Sequence, residues 1–416
     1  MKSKFTVNYA HFACYLSLMM AWLPVVDYYC NWVITVVPFL VLIYVLNQHH
    51  DGSTNKAMYV LLCGLSITLL QGWIQYRNVF LSRLINGIVS WLPLIVAIYL
   101  QTCNDRKFIK RYINFALILI TATNITSIIG LTVYPMAARE LASGTTIYNT
   151  SIYLKRNMGG YEYIYSLVAF IPTLLCIMEK EVSNRQRWKY IIAFVILLLC
   201  VFKSQYTIAL VCAVLALFLP RLVQKRRTTG FVICAAILFL MLGGLLLLSD
   251  LFLWVSNILV DASPYVSDRL LQVSQLLSGA KIATKTNTER LDLYQRCIES
   301  FMESPLWGHN LIEFKKWKIS GHSTALDMIA GGGIISFVLE VRLFYLIIKK
   351  LLTIRGKIEN YYISTIIIFF VVSALNITSH YMVFNYVVFT FPVCLTQLEC
   401  EPVNYMRRCY DSNVPK

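Results

Sequence analysis

Apolar stretches long enough to cross a bilayer recur from one end of this chain to the other, and that repetition constrains the fold more than any other feature. A crossing needs about 20 apolar residues. Such segments stand near 8–26, 28–46, 57–75, 80–100, 112–134, 161–178, 190–203, 206–220, 230–253, 325–348, 361–379 and 381–399. They predict about 12 transmembrane helices, with the short, closely linked pairs 190–203/206–220 and 361–379/381–399 as places where a re-entrant pair is the alternative. Backbone polar groups in lipid must be satisfied within the segment, so an all-α integral membrane protein is the expected class. Composition agrees, with 58% hydrophobic and 14% charged residues against about 25% charged in an ordinary soluble domain. A soluble globular enzyme is excluded.

Charge sets the orientation. Of the 37 Lys and Arg residues, 22 fall in the segments that are cytoplasmic if the N-terminus is inside, including the clusters Arg106–Arg111, Arg185–Lys189 and Arg221–Arg227. Both termini are therefore expected in the cytoplasm. The net charge of +16 arrives in short clusters between apolar segments and not as a continuous stripe, so no nucleic-acid partner is expected. The N-terminus is basic and then apolar, lacks a small-residue cleavage site, and is expected to persist as the first span. The 12 Cys are scattered singly, with no CxxC pair, which indicates neither a disulfide framework nor a metal site. The expected division is helices one to nine over 1–253, a large outer loop over 254–324, helices ten to twelve over 325–399, and a cytoplasmic tail over 400–416.

An outer loop of that length is uncommon without a function, and the chemistry-bearing residues concentrate there. The run NTERLDLYQRCIESFMESP reads as an amphipathic helix, opened by Asn287 or Thr288 and closed by Ser304-Pro305. Taking about 100° per residue and Arg290 as zero, Leu291, Leu293, Tyr294, Cys297, Ile298, Phe301 and Met302 form an apolar sector centred near 40°. Arg290 is thus a guanidinium on the expected buried side, where it needs an anionic ligand or a structural ion pair. Arg296, four residues after Asp292, suits a solvated pair.

Farther on, His322 stands immediately before the tenth expected span, with Ser323 or Thr324 able to cap that helix and Asp327 in its first turn. The positive end of a helix dipole lowers an imidazole pKa and favours the neutral form that a general base needs. The alternative is an interfacial His bonded to a loop carbonyl. Gly331, Gly332 and Gly333 allow close packing or a bend. Lys203, Arg156, Lys155, Arg83 and Arg77 can each join an anion-binding surface or anchor a lipid headgroup. His380, at the turn between the last two spans, is a reserve base, and His309 belongs to a turn.

These residues resemble the bacterial O-antigen ligase and polymerase superfamily of polytopic glycosyltransferases. The resemblance rests on Arg290-Leu291 through Tyr294, then Pro305-Leu306-Trp307-Gly308, His322, and Gly331 to Gly333. It covers about 285–345 well and the span layout loosely. The family's Ser-Arg pair at the outer start of a mid-chain span looks like Ser204 followed by Gln205, a departure for which Lys203 can supply the charge. Ser323 stands where Asn commonly follows the family His.

The resemblance implies a GT-C-like membrane fold in the bacterial inner membrane. It also implies inverting glycosyl transfer at the periplasmic face from an undecaprenyl-diphosphate-linked oligosaccharide, with no cofactor and no metal. His322 would accept or orient the acceptor hydroxyl proton. Arg290, with Lys203, Arg296, Arg156 and Arg77, would meet the diphosphate. Membrane lipids, a chain-length regulator and a flippase are the further partners such an enzyme would have. A polymerase joining repeat units is the favoured expectation. A ligase transferring glycan to lipid A core uses the same motif, and a lipid-linked oligosaccharide flippase or other transporter is the alternative from another class. Against transport stand the absence of a sequence repeat and the concentration of unusual residues in one outer loop.

Overall fold

The computed structural model describes residues 2–48, 80–103, 105–135, 137, 147–181, 183–225, 249–261, 263–277, 285–308, 323–352, 358–375 and 382–399. Among the described residues the chain is helical throughout, with no strand. The helices are α1 (Lys2–Trp22), α2 (Pro24–Gln48), α3 (Phe80–Thr102), α4 (Arg106–Val133), α5 (Ile147–Lys155), α6 (Tyr161–Lys180), α7 (Asn184–Lys203), α8 (Thr207–Lys225), α9 (Ser249–Leu259), α10 (Pro264–Leu277), α11 (Lys285–Glu303), α12 (Thr324–Leu352) and α13 (Ile358–Leu375). The last segment runs from α14 (Met382–Asn385) through a π-helical turn (Tyr386–Thr390) into α15 (Phe391–Glu399).

Three of these helices are long and apolar enough to cross a membrane: α4, α6 and α13. The number rises to five if each of two bent pairs forms one span. Shorter apolar helices occupy Val36–Gln48, Trp91–Thr102, Ile208–Val223 and Met382–Leu398. The expected span at 57–75, most of the one at 230–253, and the tail at 400–416 lie outside the described residues.

Two of the expected spans are bent. The first apolar segment ends at Trp22, and α2 leaves at 105° to α1. The break is local: Pro24, which has no N–H to give, opens α2, while Val26 and Asp27 donate to the carbonyl of Leu23. The second break is at Gly333, whose φ of 66° and ψ of −175° divide α12 into segments also bent by 105°. The expected span over 325–348 is therefore a broken helix, one of the two outcomes that its three glycines allow.

The core is built around α6, which is buried along most of its length from Tyr163 to Ile177 and packs against α7, α8 and α13. Trp22, Phe170 and Phe391 meet there, with ring centroids 4.8 Å apart for the two phenylalanines. Asp105 starts α4 by accepting a hydrogen bond from the Phe108 N–H at 3.0 Å. Thr390, in the π turn, donates to the carbonyl of Pro93 at 2.8 Å and fastens the last segment to α3.

Hydrogen bonds between helices fix which ends lie together. Gln397 donates to the Gln101 carbonyl, Tyr190 to Asn114, and Tyr361 to Glu179. These contacts group the starts of α4, α7 and α13 with the ends of α3, α6 and α15, the end rich in Arg and Lys. The candidate residues that the structure describes lie toward the opposite end.

Candidate functional site

Two assemblies occupy that opposite end, and each begins with a backbone conformation that few residues adopt. In the first, Pro305, Leu306, Trp307 and Gly308 form the turn after α11 and dock on the break in α12. The break leaves the Ile334 and Ile335 N–H groups at the start of a new helical segment, where a helix has no carbonyls of its own to offer. The Pro305 carbonyl accepts from Ile334 at 2.8 Å and the Leu306 carbonyl from Ile335 at 3.4 Å. Gly308, at φ 70°, lies against the backbone of Gly331 and Gly333, and Gly333 lies against Leu306 and Trp307. No side chain fits between strands of backbone that approach this closely, which explains the glycines on both sides.

This docking joins the two stretches that carry the principal sequence candidates. Arg290 belongs to α11, and α11 packs against α12, where the buried Cys297 thiol donates to the Asp327 carboxylate at 3.6 Å. Arg296 is exposed.

The buried sector of α11 is rotated from the sequence expectation. Cys297 and Ser300 are buried and Tyr294 and Phe301 half-buried, whereas Ile298 and Met302, expected inside, are exposed. The sector centre lies near −20°, not 40°, because α12 meets α11 through the side that includes small Cys297 and Ser300. Hydrophobicity alone had weighted the side of the larger residues.

Ser323 is the N-cap of α12: its hydroxyl accepts from the Leu326 N–H at 3.3 Å and donates to the Ala374 carbonyl at 2.8 Å. The residue following His322 is thereby tied to both α12 and the last turn of α13. His322 itself, like Arg77, His380 and His309, lies outside the described residues.

The second assembly is the turn between α5 and α6, for which the sequence reading offered only the cations. Asn157 has φ 55°, a left-handed conformation that Asn tolerates better than most residues. Its side chain accepts from the Val25 N–H at 3.3 Å and donates to Thr123 and Thr126, at 3.0 and 3.3 Å, while Thr126 donates to the Asn157 carbonyl at 2.7 Å. Gly159 N–H donates to Ser127, and Thr123 donates to the Trp22 carbonyl, both at 2.8 Å. One asparagine thus ties α2, α4 and the turn together.

The exposed Lys155 and Arg156 precede Asn157, with Lys155 over the Tyr28 ring at 5.5 Å and Arg156 over the Tyr134 ring at 5.2 Å. Tyr206 connects this turn to the one carrying Lys203: it packs on the cluster of Leu131, Tyr153 and Met158 and meets Tyr161 at 5.5 Å. Lys203 is exposed, Ser204 is buried with its hydroxyl on the Val201 carbonyl, and Gln205 takes φ 57°. Tyr206 thus links the turn that follows Lys155 and Arg156 to the turn that follows Lys203. The signal for the clamp was present as Asn followed closely by Gly-Gly in RNMGGY.

Asn157→Ala removes three side-chain hydrogen bonds, each worth about 1 kcal/mol, and leaves Ala in a left-handed conformation costing about 1–2 kcal/mol. A loss of roughly 4–5 kcal/mol is expected, read as a lower thermal midpoint in detergent. Asn157→Gly should recover only the backbone part. Equal midpoints for Asn157→Ala and the parent would show that the clamp carries no stability.

Among the described residues, no group of three His, Cys, Asp or Glu side chains is arranged to hold a metal ion. Comparison with known proteins finds no family model that matches this chain and no matching curated protein.

Proposed function

We propose that this protein is a polytopic glycosyltransferase that joins undecaprenyl-diphosphate-linked oligosaccharide repeat units, a surface-polysaccharide polymerase of the O-antigen type. The observation that carries the reading is the docking of Pro305–Gly308 on the Gly333 break. It makes a single unit of the helix bearing Arg290 and the helix that begins just after His322. Acid–base and diphosphate-binding groups must be held in fixed relation for displacement at an anomeric carbon, and such a unit suits that need.

In this reading the chain has 12 crossings in a GT-C-like arrangement, both termini are cytoplasmic, and the α11–α12 unit faces the periplasm of the inner membrane. The acceptor sugar hydroxyl attacks the anomeric carbon as the bond from that carbon to the diphosphate oxygen breaks. His322 takes the hydroxyl proton. Arg290 stabilises the charge that collects on the departing lipid diphosphate, and Lys155, Arg156 and Lys203, with Arg77 and Arg296, attract the anionic headgroup. One direct displacement inverts the anomeric configuration. A ligase would use the same groups with a lipid A core acceptor.

The test is lengthening of a lipid-diphosphate-linked repeat unit by purified protein in lipid. A product ladder is expected from the parent and from Arg296→Lys. Arg290→Lys should lose most of it, since a point charge cannot replace planar two-oxygen recognition. No lengthening by folded parent protein, or equal tolerance at both positions, would refute the reading.

A further inference from the structure

Helix α11 has three faces. With Arg290 as zero and about 100° per residue, the buried and half-buried Ser300, Cys297, Phe301 and Tyr294 lie between about −80° and 40° and face α12. The exposed Gln295, Glu299, Glu303 and Arg296 lie between about 140° and 240°. Between these faces stand Ile298 and Met302, which are 55% and 71% exposed.

The apolar strip continues past the end of the helix. Leu306 and Trp307 are 55% and 60% exposed, and the Leu306 carbonyl bonds the N–H of Ile335. The strip therefore adjoins Ile334 and Ile335, and farther along the same segment Val338 and Leu339, all exposed on α12. That segment belongs to a bent pair apolar enough to cross a membrane. An exposed apolar strip of this size on a soluble loop would be a liability. Here it is continuous with the face of a bent helix pair that is together apolar enough to cross a membrane, carries a Trp of the kind that collects at the headgroup level, and has a charged face beside it.

We propose that Ile298, Met302, Leu306 and Trp307 rest in the bilayer at the boundary between hydrocarbon and headgroups, so that α11 lies on a lipid surface with its carboxylates in water. A helix packed on one side, apolar on the second and charged on the third suits a position where protein, lipid and water meet. The proposal is independent of the glycosyl-transfer reading, since a membrane-seated α11 is compatible with transport as well.

The test uses full-length protein in vesicles of phosphatidylcholine brominated on the acyl chains near the headgroup. Comparison of the parent with Trp307→Phe isolates the Trp307 fluorescence. Trp307→Phe combined with Met302→Trp reports the helix, and combined with Glu299→Trp reports the charged face. The signals at 307 and 302 should be quenched at least twofold more strongly by brominated lipid than the signal at 299, and be shielded from aqueous acrylamide. Acrylamide quenching at 302 and 307 equal to that at 299 would put the strip in water. Shielding from both quenchers would mean that protein covers it. Either result overturns the proposal.

Discussion

Gly333→Ala should prevent the protein from reaching its native structure at ordinary yield. Position 333 has φ 66° and ψ −175°, a region open essentially to glycine alone, and holding another residue there costs about 1–3 kcal/mol. The added Cβ would also run into the Leu306 carbonyl and the Trp307 nitrogen, both backbone atoms with no side-chain freedom to move aside. Overpacking of this kind costs about 1–3 kcal/mol. Relief by backbone movement would withdraw the Pro305 and Leu306 carbonyls from the Ile334 and Ile335 N–H groups, at about 1 kcal/mol for each hydrogen bond lost. The sum is a large share of the roughly 5–15 kcal/mol that stabilises a typical protein. Gly308→Ala, which meets Gly331 and Gly333 from the other side, should behave in the same way. Gly332→Ala, where the backbone has no positive φ, should cost much less. Size-exclusion profiles and thermal midpoints of the three variants decide the matter. A parent-like midpoint for Gly333→Ala would mean that the docked turn is not a structural element.

The second large effect is expected on activity alone. His322→Ala should leave the protein folded and inserted yet stop the formation of long glycan chains. Loss of a general base costs about 10² to 10⁴ in rate, enough to reduce a polymer ladder to single repeat units. Among the described residues, the contacts that start α12 and tie it to α13 belong to Ser323, and the thermal midpoint of His322→Ala is the check that the protein is folded. Ser323→Ala supplies the contrast: loss of an N-cap costs about 1 kcal/mol, which should lower the midpoint more than it shortens the glycan. Gel profiles at matched expression give the answer, with His380→Ala as the companion variant. A full ladder from His322→Ala together with loss from His380→Ala would transfer the acid–base assignment to His380. Full ladders from both would remove histidine from the chemistry.

Much of the helical layout was legible without coordinates. The α6 helix and the apolar runs in α4 and α13 lie within a few residues of the stretches expected from hydropathy, because the affinity of a segment for lipid is a sum over its own side chains. Ser323 was a legible cap for the same reason: an N-cap is satisfied by an N–H only a few residues along the chain. The bend was legible only as a permission, since three successive glycines allow a break without saying whether it occurs or at which of them.

What the tertiary structure decided lies in contacts between distant parts of the chain. The rotation of the buried face of α11, which leaves Ile298 and Met302 exposed, was set by the fit of Cys297 and Ser300 against α12. Hydrophobic periodicity identifies an apolar side but does not say whether protein or lipid covers it. Gly333 became the break because Pro305 and Leu306, nearly thirty residues earlier, cap the segment that follows. Asn157 acquired its role because Thr123, Thr126 and Val25 converge on it from two helices. The sequence by itself determined that this is a helical, membrane-type chain, because hydropathy and local capping depend on neighbours along the chain. Only the tertiary structure decided which backbone groups pair across the breaks and which apolar face is left exposed, because those outcomes depend on shape and hydrogen-bond geometry between residues far apart in sequence.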